Sequence, residues 1–266
     1  MTRITILLIS LVVTFSAGGQ QPPPQPRRIS SPISFFDDAD TTAPGVLNMS
    51  QGVDYDRNQP GKDFSVPSSY FSVGLNRRLD LSASVGYVRS QFETIRVNGL
   101  ADTYVGVKAV VLQGRGRRPA IAVQPTIEVL GAASIVDNPL APNRVNFMLP
   151  VTVQESFESF RTYYTIGYLS RGIFFQSLAY ELNQWARVTP TVVVSHSRLT
   201  RELGLVSDLG LNRSRTDLLG GIAVNVTPVL TIYGSAGRSV GRIDVNSALY
   251  QFSAGISLNL RLWEGR

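Results

Sequence analysis

The carboxy-terminal part of the chain alternates strictly between apolar and polar positions. Every second residue from Tyr250 to Leu262 is apolar, whereas the intervening positions from Gln251 to Arg261 are small or polar. Successive side chains of a β-strand point to opposite faces, so this segment has one apolar face and one polar face. The same period of two recurs across residues 45–263 and predicts an all-β protein.

The alternation divides this region into twelve segments, each of about 10 to 15 residues. Strands of soluble proteins average about five or six residues, whereas strands of membrane barrels need about ten, tilted at roughly 45°. The lengths therefore predict a transmembrane, antiparallel up-and-down β-barrel of about twelve strands, with ten and fourteen as alternatives. The segments are 46–55, 64–76, 79–92, 101–113, 119–133, 145–155, 160–169, 172–183, 188–199, 216–227, 229–238 and 247–263.

The predicted connections alternate in length. Short turns are expected at 76–78, 114–118, 156–159, 184–187 and 227–228, and longer loops at 56–63, 93–100, 134–144, 200–215 and 239–246. The link at 170–171 is the one short exception among the longer loops. Bacterial barrels have short periplasmic turns and longer outer loops, so both ends of the barrel sequence are expected on the periplasmic side.

Aromatic residues cluster near the predicted strand ends on the apolar face. Amphipathic rings form such girdles at membrane interfaces. The alternative, aromatic residues in the core of a soluble β-sandwich, would not require a secretory signal or so many long strands. The girdle candidates are Tyr87, Phe160, Tyr164, Tyr168, Phe174, Tyr180, Tyr250, Phe252 and Trp263.

The first nineteen residues have the composition of a secretory signal peptide. Arg3 precedes an apolar run at residues 4–15, and small residues follow at 16–19. A twelve-residue helix rises only about 18 Å, too little for a hydrocarbon core of roughly 30 Å. Cleavage after Gly18 or Gly19 is expected, with a retained amphipathic anchor as the alternative.

Residues 20–44 are rich in proline and lack a periodic apolar pattern, which predicts an extended, flexible and solvated linker. Asp37, Asp38 and Asp40 lie within it, and clustered carboxylates can bind a hard cation. The segment lacks the glycine and the distal glutamate of a calcium loop, which favours solvated acids. The predicted domains are thus a signal peptide at 1–19, the linker at 20–44 and the barrel at 45–266.

The composition excludes several kinds of catalytic and metal-binding site. The 266 residues include no cysteine and one histidine, which excludes disulfide scaffolds, thiol nucleophiles and histidine-rich metal sites. The net charge of +6 falls to +5 once the signal is removed, so the exported chain is mildly basic. The mean hydropathy is near zero because apolar and polar residues alternate and cancel in the average. No cofactor or metal site is expected.

Residues 253–260 resemble the carboxy-terminal signal that the bacterial barrel-assembly machinery reads. A polar residue is followed two positions later by glycine, and then by alternating apolar residues. The resemblance implies that this machinery is a partner during biogenesis. The signal residues are Ser253, Gly255, Leu258 and Leu260, although six more residues follow where many such proteins end on an aromatic residue.

Two further segments resemble a family of outer-membrane barrels. Residues 76–81, read Asn-Arg-Arg-Leu-Asp-Leu, open a strand that ends near Tyr87, and residues 99–108 read Gly-Leu-Ala-Asp-Thr-Tyr-Val-Gly-Val-Lys. They are similar to strand openings of the MetA-pathway phenol-degradation, or transporter-like, outer-membrane barrels. The resemblance implies a transport or permeability role and no catalytic residues.

Enzymatic and nucleic-acid functions find little support. His196 lies between Ser195 and Ser197, but neighbouring strand residues face opposite sides, so neither serine can easily reach the imidazole. Outer-membrane lipid hydrolases place a serine two positions after the histidine, where this chain has Arg198. There is no phosphate-binding glycine loop and no dinucleotide fingerprint. The arginines are scattered over turns and loops, which does not form a nucleic-acid surface.

Arginines bracket the longest predicted outer loop. Guanidinium groups bind phosphates in bidentate geometry, so lipopolysaccharide contacts are one hypothesis and a solvated basic loop is the alternative. The residues concerned are Arg198, Arg201, Arg213 and Arg215.

Charged residues also fall on the polar face of the alternation, which is the lumen face of a barrel. There they would either line a water-filled path or pair within a narrow, plugged barrel, and the pattern leaves both open. The lumen candidates are Asp80, Asp102, Lys108, Glu128, Arg161, Glu181, Asp217 and Arg261.

The sequence as a whole predicts an integral protein of the bacterial outer membrane, in contact with its lipid and lipopolysaccharide. The leading hypothesis is a passive channel or transporter for small-molecule solutes, hydrophobic or aromatic ones included. A structural or adhesive barrel that transports nothing is the alternative, and a lipid hydrolase is third.

Overall fold

The structure, a computed structural model, describes residues 38–58, 61–92, 95–114, 118–132, 144–183, 185, 187–200, 214–241 and 247–263. No helix among these residues is both long and apolar enough to span a membrane. Nearly all of them belong to antiparallel strands.

Twelve barrel strands follow one another along the chain, and we number them β1 to β12. Two of them, β4 and β5, are each interrupted once and consist of two ladder segments. The strands are β1 (Val46–Asn58), β2 (Gly61–Asn76), β3 (Leu79–Phe92), β4 (Ile95–Leu100 and Thr103–Leu112), β5 (Ala120–Val123 and Thr126–Val129), β6 (Val145–Ser156), β7 (Phe160–Leu169), β8 (Ile173–Leu182), β9 (Val188–Leu199), β10 (Ser214–Asn225), β11 (Leu230–Val240) and β12 (Ala248–Arg261).

The sheet closes on itself, which makes it a barrel. Each strand pairs antiparallel with its neighbours in sequence, and β1 pairs with β12 from Val46↔Arg261 to Asn58↔Ala248. The break in β5 falls at Gln124–Pro125, as expected because proline has no N–H to donate to a ladder. Closure leaves no free sheet edge, which is what allows strands to cross a membrane.

Gly45 fixes the start of the seam between β1 and β12. Its φ is +75°, and a Cβ there would lie 2.2 Å from the carbonyl oxygen of Trp263. The Leu262 N–H donates to the Gly45 carbonyl oxygen at 2.7 Å. Only glycine combines this backbone conformation with so close an approach, so it sets where the barrel begins.

The two faces of the sheet have opposite chemistry. Outward side chains are apolar and exposed, as Val105, Phe252 and Ile256 show. Inward side chains are polar and buried, and the largest fully buried ones include Glu128 and Glu181. This arrangement reverses that of a soluble protein, and the continuous apolar exterior requires a lipid surround.

Hydroxyl and amide groups link neighbouring strands on the inner face. The Thr152 and Thr165 hydroxyls lie 2.9 Å apart across β6 and β7. Across the seam, Ser50 Oγ donates to Ser257 Oγ at 2.9 Å, and Asn48 Nδ2 donates to the same oxygen at 2.9 Å. At these positions the wall satisfies its own polar groups through bonds between neighbouring strands.

The strand count and the orientation of the two faces confirm the sequence prediction. Two long loops were predicted wrongly: Asp56 pairs with Asp63 inside the β1–β2 ladder, and residues 95–100 pair with β3 rather than forming a loop. These strands continue beyond the region where apolar and polar residues alternate, which is why the pattern predicted that they would stop early. The predicted loops at 134–144 and 200–215 lie mostly outside the described residues.

Eight of the nine girdle candidates have the expected outward side, and Trp263 lies beyond the end of β12. Seven are exposed, whereas Phe160 and Phe174 are partly covered by neighbouring side chains. Phe160 stacks between Phe157 and Tyr180, with ring centroids 4.5 and 5.1 Å away. Rings of this kind occur near both ends of the barrel, as at a pair of membrane interfaces.

Candidate functional site in the barrel lumen

The segment before β1 enters the lumen instead of remaining in solvent. Asp38 is 2% exposed and Ala39 is 0% exposed, and Pro44 forms a bridge with Gly74 of β2. A Cβ on Gly74 would lie 2.2 Å from the carbonyl oxygens of Thr42 and Ala43, so this glycine makes room for the segment. The predicted solvated linker is thus wrong for residues 38–44, while residues 20–37 and Asp37 among them lie outside the described residues.

Arg161 of β7 holds this segment against the wall formed by β7 and β8. Its Nη1 lies 2.8 Å from Asp38 Oδ2 and 3.3 Å from Asp40 Oδ2, and its Nε pairs with Glu181 of β8. The Tyr163 hydroxyl donates to Glu181 Oε1 at 3.2 Å. One buried guanidinium therefore joins the inserted segment to two adjacent strands, a geometry that suits its fixed fork of donors.

Lys108 of β4 is the second cation of this network. Its Nζ donates to the Asp40 carbonyl oxygen at 2.9 Å and lies 3.8 Å from Asp38 Oδ1. The Ala39 N–H donates to Gln154 Oε1 at 2.9 Å, and Gln154 Nε2 donates to Asp40 Oδ2 at 3.1 Å. The charges of the acids are thus met by cations on different strands, as burial requires.

Asp80 and Asp40 complete the group near the periplasmic end. Asp80 Oδ2 accepts the Thr42 N–H at 2.9 Å. The Asp40 side chain is 58% exposed toward the lumen cavity. Enclosure by the surrounding wall and then the Asp38 carboxylate raise the pKa of Asp40, while Arg161, Gln154 and Lys108 oppose the increase. We use the name lumen ion-pair network for Asp38, Asp40, Lys108, Arg161 and Glu181, together with Asp80, which binds the Thr42 N–H of the same segment.

The remaining lumen candidates lie elsewhere. Near the outer end, Glu128 is fully buried, accepts the Tyr104 hydroxyl at 2.8 Å and lies 3.4 Å from Arg171 Nη2. Asp102 accepts the Gly131 N–H at 3.1 Å. The structure therefore brings four of the eight candidates together and separates the others.

Two of the separated candidates lie on β10 and β12. Asp217 accepts from the Ser239 hydroxyl at 2.6 Å and from Arg215 Nε at 2.8 Å. Arg261 has the inward parity of Ser257 but is exposed at the end of β12.

The four arginines proposed to contact lipopolysaccharide also have different positions. Arg198 is exposed on the outward face of β9, which is compatible with lipid contact. Arg215 instead faces the lumen side and pairs with Asp217, so its assignment as a lipid contact is corrected. Arg201 and Arg213 lie outside the described residues.

The assembly-signal residues belong to β12, with Ser253 and Gly255 facing inward and Leu258 and Leu260 outward. The Tyr233 ring covers Gly255: a Cβ built there would lie 2.5 Å from the Tyr233 hydroxyl. The opposing Gly52 would meet the same hydroxyl at 2.8 Å. The tyrosine thus packs over paired glycines of both strands at the seam.

A cavity of about 730 Å³ remains beside the ion-pair network, and Asp40, Lys108 and Arg161 of the network form part of its wall. The cavity is lined from Val46 near one end of β1 to Asp56 near the other, about 33 Å along the strand. Its walls carry many hydroxyl groups, including those of Tyr70, Tyr104 and Tyr233. They also carry charged side chains, which are Asp40, Asp54, Asp56, Lys108 and Arg161. Among the described residues, no group of three or more acidic, histidine or cysteine side chains could hold a metal ion.

Sequence reasoning missed the partners of the network. Asp38 and Asp40 were assigned to the linker, and Arg171 to the short link at 170–171. Asp40 and Arg161 are 121 residues apart, so a local pattern gives no sign that they meet. The charges of the residues gave the one usable indication. Inward cations such as Lys108 and Arg161 need anionic partners, and Asp38 and Asp40, just before β1, can supply them.

Comparisons with known proteins agree with this architecture. No family model matches the sequence, and no curated protein matches it. The structure is similar to that of the COG4313 outer membrane channel from Pseudomonas putida F1, with a TM-score of 0.66 and 12% identity over 84% of this chain and 98% of that one. It is also similar to the NanC porin (TM-score 0.54, 11% identity, 80% and 100% coverage) and to the KdgM porin (0.52, 8%, 79% and 98%). At these identities the similarity establishes the fold, and the chain has the closed β-barrel fold of outer-membrane channels.

Proposed function

We propose that this protein is a passive channel of the bacterial outer membrane for small molecules, hydrophobic or aromatic ones included. The observation that carries the proposal is the cavity of about 730 Å³ that extends along β1 beside the ion-pair network. A pore selects solutes by its diameter, its hydrogen-bonding groups and its fixed charges. Solutes would follow this cavity because the network occupies the rest of the lumen near the periplasmic end.

The cavity wall supports the proposed class of solute. The cavity is lined by the hydroxyl groups of Ser50, Ser68 and Ser84 and by the phenol rings of Tyr70 and Tyr233. Such a wall offers weak hydrogen bonds and flat apolar surfaces to a small neutral molecule. The resemblance of residues 76–81 and 99–108 to the MetA-pathway phenol-degradation barrels supports the same proposal.

A catalytic function is not part of the proposal. The Nδ1 atom of His196 lies 2.8 Å from the Thr216 hydroxyl on the outward face. Ser195 and Ser197 have the opposite parity and lie on the lumen side. The imidazole therefore has a neighbouring threonine rather than an adjacent serine as its hydrogen-bond partner, and threonine activation would still require a third orienting group.

A structural barrel that conducts nothing is the second candidate. It is favoured by the network itself, because Arg161, Lys108 and the inserted residues 38–43 fill much of the lumen near the periplasmic end. A measurement of ion conduction distinguishes the two functions, because only the channel conducts.

The test is single-channel recording of the purified mature protein in planar lipid bilayers, together with uptake of small neutral aromatic solutes into proteoliposomes. We expect discrete conductance steps and uptake above that of protein-free liposomes. A barrel that stays folded in detergent, shown by its heat-dependent mobility on a denaturing gel, but gives neither signal would favour the structural function.

We also propose two partners besides the solute. Ser253, Gly255, Leu258 and Leu260 would be read by the barrel-assembly machinery while β12 pairs with β1. Arg198 is the remaining described candidate for lipopolysaccharide contact near the loop that follows β9. Outer-membrane lipid would surround the apolar exterior.

A further inference from the structure

Four cations lie together on the outer wall of the barrel, near the outer ends of β1 to β4. Arg57 pairs directly with Lys62, Lys62 with Gln91, and Gln91 with Arg96, so these residues form one row across four strands. Arg89 lies in the next row toward the membrane, opposite Phe64. We call Arg57, Lys62, Arg89 and Arg96 the outer basic patch.

Among the described residues, the strands of the patch carry no acid on the outer face. Lys62, Arg89 and Arg96 are exposed and Arg57 is half-buried. None of the four takes part in an ion pair within the described parts of the chain. The acids of the same strands, Asp54, Asp56 and Asp63, have the opposite parity and face the lumen.

Arg57 and Lys62 repel each other in the isolated protein. Directly opposed side chains on neighbouring strands have Cβ atoms about 4.5 to 5.5 Å apart, and like charges at this position are destabilising. An anion between them would replace repulsion by two attractive contacts. The register therefore favours a bound anion over solvation of each cation alone.

A groove begins immediately below the patch on the same wall. It has a volume of about 240 Å³ and is lined by Phe64, Val66, Tyr87 and Arg89. It lies beside the register shift between Ser65 and Ser68, where β2 bulges away from β3. Apolar side chains thus form its floor, and one cation of the patch forms its rim.

The vertical order of these residues matches an acylated phosphate. From the membrane outward, the first row of the wall contains Val53 and Tyr87. The second contains Tyr55, Phe64 and Arg89, and the third contains Arg57, Lys62 and Arg96. Acyl chains would contact the apolar and aromatic side chains of the first two rows, and phosphate groups would meet Arg89 and the third row. A free phosphate would use only these cations and leave the apolar floor of the groove without a role.

We propose that the outer basic patch and its groove bind the bisphosphorylated, acylated glycolipid of the outer leaflet, the lipid A part of lipopolysaccharide. Guanidinium and ammonium groups bind phosphate oxygens through charge-assisted hydrogen bonds. The site lies on β1 to β4 and is separate from Arg198 on β9. It rests on the proposed outer-membrane location but not on conduction, so a barrel that conducts nothing could still bind the lipid.

The test measures lipid binding to the purified mature protein in detergent by native mass spectrometry. The patch variant is R57Q/K62Q/R89Q/R96Q. The matched control, R77Q/R78Q/R118Q/R187Q, removes the same charge from exposed arginines near the periplasmic end. Lipid A, dephosphorylated lipid A and inorganic phosphate are titrated against each protein, and heat-dependent gel mobility confirms that each is folded.

We expect the patch variant to bind lipid A about tenfold more weakly than the wild type, and the control variant to bind it as the wild type does. Dephosphorylated lipid A should bind the wild type as weakly as lipid A binds the patch variant. Phe64→Ser should weaken binding of lipid A but not of inorganic phosphate. If the patch variant does not fold, the single variants K62Q and R96Q are each expected to weaken lipid A binding about threefold.

Equal binding of lipid A by the wild type and the patch variant would overturn the proposal. An equal loss of lipid A affinity in the patch and control variants would mean that binding depends on the net charge of the protein and not on this site. Inorganic phosphate binding as tightly as lipid A would make the patch a site for free anions and remove the lipid assignment.

Discussion

The two sides of the lumen differ in how they satisfy polar groups. On the side of β4, β6, β7 and β8, buried charges such as Lys108, Arg161 and Glu181 pair with one another and with the inserted residues 38–43. On the side of β1, β2, β11 and β12, neutral groups such as Ser50 and Ser257 bond across strands. The inserted segment occupies the charged side near the periplasmic end, and the cavity lies beside it, with Asp40, Lys108 and Arg161 in its wall. The hydroxyl-rich side lines the same cavity and adds Asp54 and Asp56 toward the outer end.

The difference shows where a solute can pass. A buried charge requires a partner at close range, so each cation on the charged side brings a carboxylate into the lumen and reduces the space. Hydroxyl groups bond to their immediate neighbours within the wall and leave the interior free. Near the periplasmic end, the wall of hydroxyl groups therefore leaves a passage open, whereas the charged wall recruits a segment that closes its own side.

Removing the inserted segment should have the largest effect on this comparison. The variant is a truncated chain whose mature form begins at Pro44. It lacks Asp38, Asp40 and the backbone contacts that residues 39–42 make with the charged side. We expect single-channel conductance to rise severalfold, because the lumen then opens across both sides.

The matched control begins at Asp38 and lacks only residues 20–37, so it retains the segment and its contacts. Its conductance should equal that of the wild type. If both truncated chains conduct like the wild type, residues 38–43 do not limit the passage.

Breaking the network at its centre should destabilise the barrel. Arg161→Met leaves Glu181 and Asp38 buried without their main cation, and loss of one partner of a buried pair typically costs about 3 to 5 kcal/mol. The free energy of unfolding in detergent micelles, from urea titration, is the measurement. Arg78→Met at the exposed turn after β2 is the control and should change it by less than about 0.5 kcal/mol.

A smaller loss for Arg161→Met, within the range of the control, would mean that lumen water solvates the two acids. The network would then position the segment without adding to the stability of the barrel.

The sequence was sufficient for the wall of the barrel because alternation is a local property. Each strand crosses the membrane once, with lipid on one side and the lumen on the other. Apolar residues at every second position, as from Tyr250 to Leu262, therefore identify the outward face. Strand number, closure and the outward position of the aromatic rings all follow from this repeat. The same logic assigned Glu128 and Glu181 to the inner face, where both are fully buried.

The repeat fails where the membrane ends or where contacts are distant in sequence. Near the outer ends of β1 and β2, both faces are polar because Arg57 and Lys62 face outward while Asp56 and Asp63 face inward, so the strands were predicted too short. Residues 38–43 have no repeat of their own. Their position depends on Gln154 and Arg161, more than a hundred residues away, and only the closed barrel brings them together.

The smallest predicted effect tests the neutral side alone. Ser235 of β11 lines the cavity, whereas its neighbour Ala236 is exposed on the outer face. Ser235→Trp should reduce single-channel conductance to about half or less, because the indole ring projects into the passage. Ala236→Trp places the same ring in lipid, where large apolar side chains already lie, and should leave conductance unchanged. Equal conductance of the two variants would mean that ions do not pass along β11, and the passage would then have to lie on the charged side.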